Sequence, residues 1–208
     1  EAELERQIEA ATRWVVPKQL EAGIDIPSNG EQPRESFFLY TQRRMSGFAP
    51  GGTRRGPRDL ERYPAFQAMR QRFVGSQPAV SSFQVPRVVG AVRYLQPEAV
   101  ERECQDFRRI LTAARPGTAE AFVTAPSPGI ITAAVPNEHY DSQEAYIEAI
   151  AAALRTEYEA IVRNGFVLQI DCPDLALERH VTYAGQPVAK FLKFVETVVA
   201  AINRNLAD

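Results

Sequence analysis

Gly165-Phe166-Val167-Leu168-Gln169-Ile170-Asp171-Cys172-Pro173-Asp174-Leu175-Ala176 is the stretch whose reading decides the fold. Residues 166–170 form an apolar run of strand length, of the kind buried on both faces in a parallel sheet. Ahead of it, residues 142–164 carry a long helical pattern, and Gly165 supplies its C-cap. Behind it, an amphipathic helix covers 187–206, with Phe191, Phe194, Val195, Val198 and Ile202 on its core face.

Working outward, the same alternation of helix and strand continues. Residues 121–124 read as a short strand closed by Pro126 and Pro128, and 88–95 as a β-rich run. Pro97 after that run suits the first turn of a helix over 98–113. The stretch 49–64, rich in proline, glycine and arginine, reads as an irregular excursion. A second helix is expected over 34–46. Residues 24–26 begin a strand that runs into Ser28-Asn29-Gly30-Glu31, after an amphipathic helix over 3–22 kinked at Pro17 and ended by Gly23. Trp14 reads as a core residue.

Four strands separated by helices point to a parallel sheet with crossover helices. No GxGxxG and no GxxxxGK[ST] follows any strand, which weighs against an open nucleotide-binding sheet. The expectation is an α/β fold of the (β/α)8 TIM-barrel type, as one domain over 1–208 holding about four parallel strands. The 208 residues fall short of the roughly 250 of a complete barrel. A chain that opens in mid-helix without methionine also suggests that an upstream part is missing.

Bulk properties narrow the function. The chain is 45% hydrophobic and 24% charged, with a formal net charge of -2, so neither nucleic acid nor an anionic membrane is an expected partner. Two cysteines without a disulfide framework, a charged helical start and no long apolar segment suggest a reduced, cytoplasmic protein.

In parallel α/β folds the chemistry gathers at the C-terminal ends of strands. Those ends carry Glu31 and Arg34, Arg93 and Tyr94, Thr124 and Ser127, and Gln169, Asp171, Cys172 and Asp174. Glu31 and Asp171 would face one mouth, and a carboxylate pair suits a partly desolvated ammonium group. Each acid could instead cap a helix or close a structural ion pair, and position alone leaves the two readings even. Zinc needs three or four convergent ligands, and no CxxC, HxxH or HxC is present. Cys172 is a weak metal candidate and reads better as a small packed side chain. His139 and His180 read as surface or supporting residues. Arg54, Arg55, Arg58 and Arg62 could hold an anion, but Asp59 and Glu61 among them favour a solvated loop.

Two segments carry a family resemblance. GFVLQIDCPDLA, with its isoleucine, aspartate and proline, and QLEAGIDIPSNGEQPRESFF, with Gly-Glu followed by an arginine and an aromatic run, resemble cobalamin-independent methionine synthase. The resemblance spans essentially the whole chain and implies a barrel of the methionine synthase and uroporphyrinogen decarboxylase superfamily. It implies a methyltransferase in which zinc activates a thiol to take a methyl or alkyl group, with Glu31 and Asp171 matching the acids that hold the amino group of homocysteine. Gln169 and Arg34 join them as substrate-binding expectations, and the partner would be a small-molecule thiol or amino acid, with homo-oligomers open.

The departures are specific. The family's zinc ligands begin with a His-x-Cys strand that would follow Asp208, so zinc is expected of a complete family member and not from ligands here. The loop IITAAV lacks the aromatic that stacks on a folate donor, and Cys172 replaces an acid. A decarboxylase or lyase on the same barrel, or a non-catalytic half-barrel that binds or assembles, remain the alternatives.

Overall fold

The computed structural model describes residues 2–54, 56, 58–76, 85–118 and 120–206. They form a mixed α/β structure dominated by helices. In order these are α1 (Ala2–Glu21), α2 (Thr41–Arg44), β1 (Phe48–Ala49), a 3-10 turn (Arg58–Arg62), α3 (Pro64–Ser76), β2 (Arg87–Val88), α4 (Pro97–Ala114) and β3 (Phe122–Pro126). Then follow α5 (Pro128–Ala134), α6 (Gln143–Arg163), β4 (Val167–Asp171), α7 (Asp174–Leu177) and α8 (Val188–Leu206).

The parallel core is β3 beside β4, in register from Phe122↔Val167 to Pro126↔Asp171. On the other side of β3 lies a single parallel bridge, Ser28↔Phe122. Strand β3 is therefore central, and Val123, Thr124, Ala125 and Pro126 are all buried. Val123, Ala125, Leu168 and Ile170 pack into the main core with Phe107, Leu154, Tyr158 and Ile161 from α4 and α6. Side chains alternate along a strand, so Thr124, Gln169 and Asp171 share the opposite face. A second core joins α6 to α8 through Ile147, Ala151, Phe191, Phe194, Val198 and Ile202.

Helix ends follow the local chemistry. Ser142 caps α6 by accepting from Ala145 N at 3.0 Å. Gly165, at φ +75°, turns the chain from α6 into β4. Ser127 caps α5, with Pro128 at the first helical position. No helix among the described residues is long and apolar enough to cross a membrane.

Several sequence expectations are corrected. The run 88–95 is not a parallel strand beside β3: β2 pairs antiparallel with β1, and Met45↔Tyr94 extends the ribbon. Gly47 permits this pairing, because a Cβ there would lie 2.5 Å from the Gly90 carbonyl oxygen. The strand expected at 24–26 is a bend with Ile24 and Ile26 exposed. Pairing shifts to Ser28, whose backbone N–H and carbonyl are both engaged by the Gln19 side chain. The helix expected over 34–46 shrinks to α2, while α3 and α5 are helices that apolar periodicity did not disclose. Strand β4 is not buried on both faces, since Val167 and Gln169 are exposed. Trp14 is 67% exposed and lies outside the core.

Candidate functional site

The parallel strands bring three turns to one end: 28–31 after the Ser28 bridge, 126–128 after β3 and 171–174 after β4. Glu31 stands there at φ +55°, the one described residue other than glycine in the left-handed region. That backbone is uncommon for a side-chain-bearing residue and needs support from its surroundings. Ser28 Oγ accepts from Gly30 N at 3.1 Å, and Asn29 Oδ1 accepts from Glu31 N at 2.9 Å.

The Glu31 carboxylate accepts from Thr124 Oγ1 at 2.7 Å. Thr124 lies opposite Gln169 in the ladder, and Gln169 Nε2 donates to Asp171 Oδ1 at 2.9 Å. Hydrogen bonds and register thus link Glu31, Thr124, Gln169 and Asp171 across the strand ends. Glu31 and Asp171 are partly exposed and Gln169 is exposed.

Arg34 is turned inward, its side chain only 1% exposed. Its Nη1 donates to Thr124 O at 2.7 Å and to Thr124 Oγ1 at 3.0 Å. Beneath it lies a buried cluster that the sequence reading missed. Glu103 of α4 sits 3.0 Å from Arg34 Nε and 2.7 Å from Arg44 Nη2. Arg34 Nε lacks a hydrogen-bonding angle, so its contact with Glu103 is held by charge rather than by direction. Glu157 of α6 faces Arg44 Nη1 at 3.3 Å and Arg34 Nη2 at 3.7 Å. Tyr94 donates to Glu157 Oε2 at 2.6 Å, and Tyr40 donates to Glu157 Oε1. Both guanidinium groups lie over the Tyr40 ring, at 4.4 and 4.6 Å from its centroid.

Among the described residues two buried cations and two buried carboxylates therefore balance formally. Burial alone would raise the Glu103 carboxyl, but Arg34 and Arg44 overcome it and hold Glu103 below the usual range. Burial alone would also discharge the arginines, and Glu103 and Glu157 reverse that.

A second buried acid lies beside the turn after β4. Asp174 is fully buried and accepts from Ser127 Oγ, while its Oδ2 has no hydrogen-bond partner among the described residues. Burial pushes its carboxyl up to about 6, against the lowering effect of Ser127. Gly129 makes room for it, since a Cβ there would fall 2.0 Å from Asp174 Oδ2. Burial and the neighbouring Asp174 push the Cys172 thiol up to about 11, and its Sγ contacts Ile170 O at 3.5 Å.

The arginine-rich excursion is tied to the turn after α7. Arg54 pairs with the buried Glu178 at 2.9 Å, and His180 Nδ1 meets Asp59 at 2.9 Å. Arg58 lies 3.9 Å from Glu61, whereas Arg55 lies outside the described residues. His139 packs edge-on against Tyr140.

The chemistry of zinc provides a test of these donors. Among the described residues no three His, Cys, Asp or Glu side chains converge as metal ligands. Cys172, a protonated thiol at neutral pH, has no second sulfur or imidazole beside it in such a group. The described residues do not fit a zinc centre.

Comparison with known proteins yields a likeness of fold. The chain is similar to a B12-independent methionine synthase from Shewanella sp. W3-18-1, solved in complex with selenomethionine. The TM-score is 0.62 at 22% identity, covering 94% of this chain and 49% of that one. The chain thus spans about half the length of the solved structure it matches. No family model matches the sequence, and no curated protein matches it.

Proposed function

We propose that this chain is a barrel portion, a single domain over 1–208, of a methionine-synthase-like transferase. That enzyme would move a methyl or alkyl group to a thiol acceptor resembling homocysteine. The observation that carries the reading is the chain of contacts Glu31–Thr124–Gln169–Asp171 at the strand ends. It sits in a fold shared over 94% of the chain with an enzyme solved in complex with selenomethionine.

In this reading Glu31 and Asp171 accept from the ammonium group of the acceptor. Gln169 keeps Asp171 oriented, and Arg34 works from below through Thr124. An ammonium donates three hydrogen bonds and carries a charge, so two carboxylates on one face complement it where water is partly excluded. The exposed face of β4, with Val167 and Gln169 uncovered, suits a barrel interior that further strands would line. Zinc belongs to the proposal only as an activator of the thiol held by residues other than those described. A folate donor gains no support from α5, where Ile130, Ile131, Thr132 and Ala134 are buried and offer no aromatic face. A cytoplasmic setting suits the free thiols of Cys104 and Cys172.

The test is binding of homocysteine and methionine, measured calorimetrically with the wild type, Glu31→Gln and Asp171→Asn. Hydrogen bonds to charged groups contribute about 1.5–3 kcal/mol, so each variant should weaken binding by about tenfold or more. Saturable binding that neither substitution changes would overturn the assignment of these acids. Absence of any saturable binding would overturn the acceptor class.

A further inference from the structure

We infer that Thr124 is a positioning residue for Glu31, its hydroxyl proton aimed by Arg34, so that the site is built for a free ammonium group. The inference rests on the proposal that Glu31 receives the acceptor's amino group.

A threonine hydroxyl has one proton and can both donate and accept. Arg34 Nη1 donates to Thr124 Oγ1 at 3.0 Å, and a guanidinium has no lone pair to accept in return. The hydroxyl proton is therefore left for Glu31 Oε1, 2.7 Å away. Were Arg34 absent, the hydroxyl could rotate and accept from a ligand instead. With Arg34 in place, Thr124 is locked as a donor and Glu31 as an acceptor.

The lock is set from the core rather than by a ligand. Arg34 is held by Glu103 at 3.0 Å and lies on the Tyr40 ring. The same Glu103 accepts from Asn29 Nδ2 at 2.9 Å, and Asn29 Oδ1 in turn accepts from Glu31 N. Two routes from one buried carboxylate thus converge on Glu31. One runs through Asn29 to its left-handed backbone, and the other through Arg34 and Thr124 to its carboxylate. Thr124 stands on β3, the central strand, which keeps the second route stiff.

An acceptor oriented in advance favours a ligand that brings protons and positive charge. The site should then select amino acids with a free primary amine and discriminate against the same thiol acid without one. A group that offers only lone pairs would face Glu31 with no proton between them.

The experiment compares Thr124→Val, which keeps the shape and loses the hydroxyl, with Thr124→Ser, which keeps the hydroxyl. Each is titrated with homocysteine and with 4-mercaptobutanoic acid, the same thiol acid without the amine, alongside Glu31→Gln. Thr124→Val should weaken homocysteine by about tenfold, because Glu31 loses the donor that holds its carboxylate in place before the amine arrives and ordering it then costs binding energy. It should leave the desamino compound unchanged, and Thr124→Ser should bind both as the wild type does. Equal behaviour of the valine and serine variants would overturn the inference, as would parallel weakening of both ligands by the valine. If Glu31→Gln weakens homocysteine and Thr124→Val does not, the positioning role alone fails. If Glu31→Gln has no effect, the parent reading fails with it. Thr124→Ala gives the same comparison should the valine variant not fold.

Discussion

Glu103→Gln is the perturbation that most directly probes the buried cluster. The amide keeps the shape of the carboxylate but removes one negative charge, leaving two arginines facing, among the described residues, Glu157 alone. At 2.7 Å the attraction between Glu103 and Arg44 is about 6 kcal/mol gross at an effective dielectric of about 20. Desolvation of both ions offsets most of that. Removing one partner, however, strands the other charge where water cannot reach it, which costs about 3–5 kcal/mol. With a urea m-value of about 2 kcal/mol/M, the midpoint at pH 7 should fall by about 1.5–2.5 M. The pH dependence supplies a second limb. Glu103 is held below its ordinary value of 4.5, so its contribution is fully present above that pH and is lost as pH falls through the folded value. The wild type should lose this stability in acid and the glutamine variant should not, so the two curves converge at low pH. Urea melts followed by circular dichroism between pH 3 and pH 7 (about one-unit steps suffice) would read both limbs. A midpoint shift under about 0.5 M, or a deficit that stays constant into acid, would refute the account of an internally balanced cluster.

Asp174 predicts the opposite slope. Its carboxyl is raised from 3.8 to about 6, so the folded state favours the protonated form and loses stability as pH rises from about 4 through about 6. The loss is about 3 kcal/mol, and Asp174→Asn should flatten that limb in unfolding midpoints measured at pH 4 and pH 7.5; an unchanged slope would refute it. Arg54→Ala leaves the buried Glu178 with Thr182 as its remaining side-chain partner among the described residues, so the excursion over 49–64 should be cut faster in limited proteolysis. Cleavage there at the wild-type rate would mean that this ion pair does not hold the segment.

How much of this was legible in the sequence differs by feature, for physical reasons. The long helices and the strands β3 and β4 were readable because their periodicity and flanking caps are local. Glu31, Thr124, Gln169 and Asp171 could be placed at strand ends because a parallel sheet puts those ends together whatever the partners. The ribbon of β1 and β2 was misread because a valine-rich run records neither its partner nor its direction. The first strand was misplaced because a side chain from α1, Gln19, takes up the backbone of Ser28.

The cluster of Arg34, Arg44, Glu103 and Glu157 comes from one loop and three helices, and no spacing rule unites them. A signal was nevertheless present. On α4 the buried positions Val100, Cys104, Phe107, Ile110 and Leu111 mark one face, and Glu103 falls on it. On α6, Ile150, Ala153, Leu154, Tyr158 and Ile161 mark another, and Glu157 falls on that. A carboxylate in phase with an apolar stripe must find a cation, take up a proton as Asp174 does, or disrupt the helix's packing. Two such carboxylates on neighbouring helices call for two buried cations. The arginines following the Gly-Glu turn, Arg34 and Arg44, lie close enough in sequence to a strand end to supply them. The same requirement ties stability to recognition. Arg34 is one of the two charges that make Glu103 tolerable in the core, and it is also the group that fixes the proton of Thr124 toward Glu31.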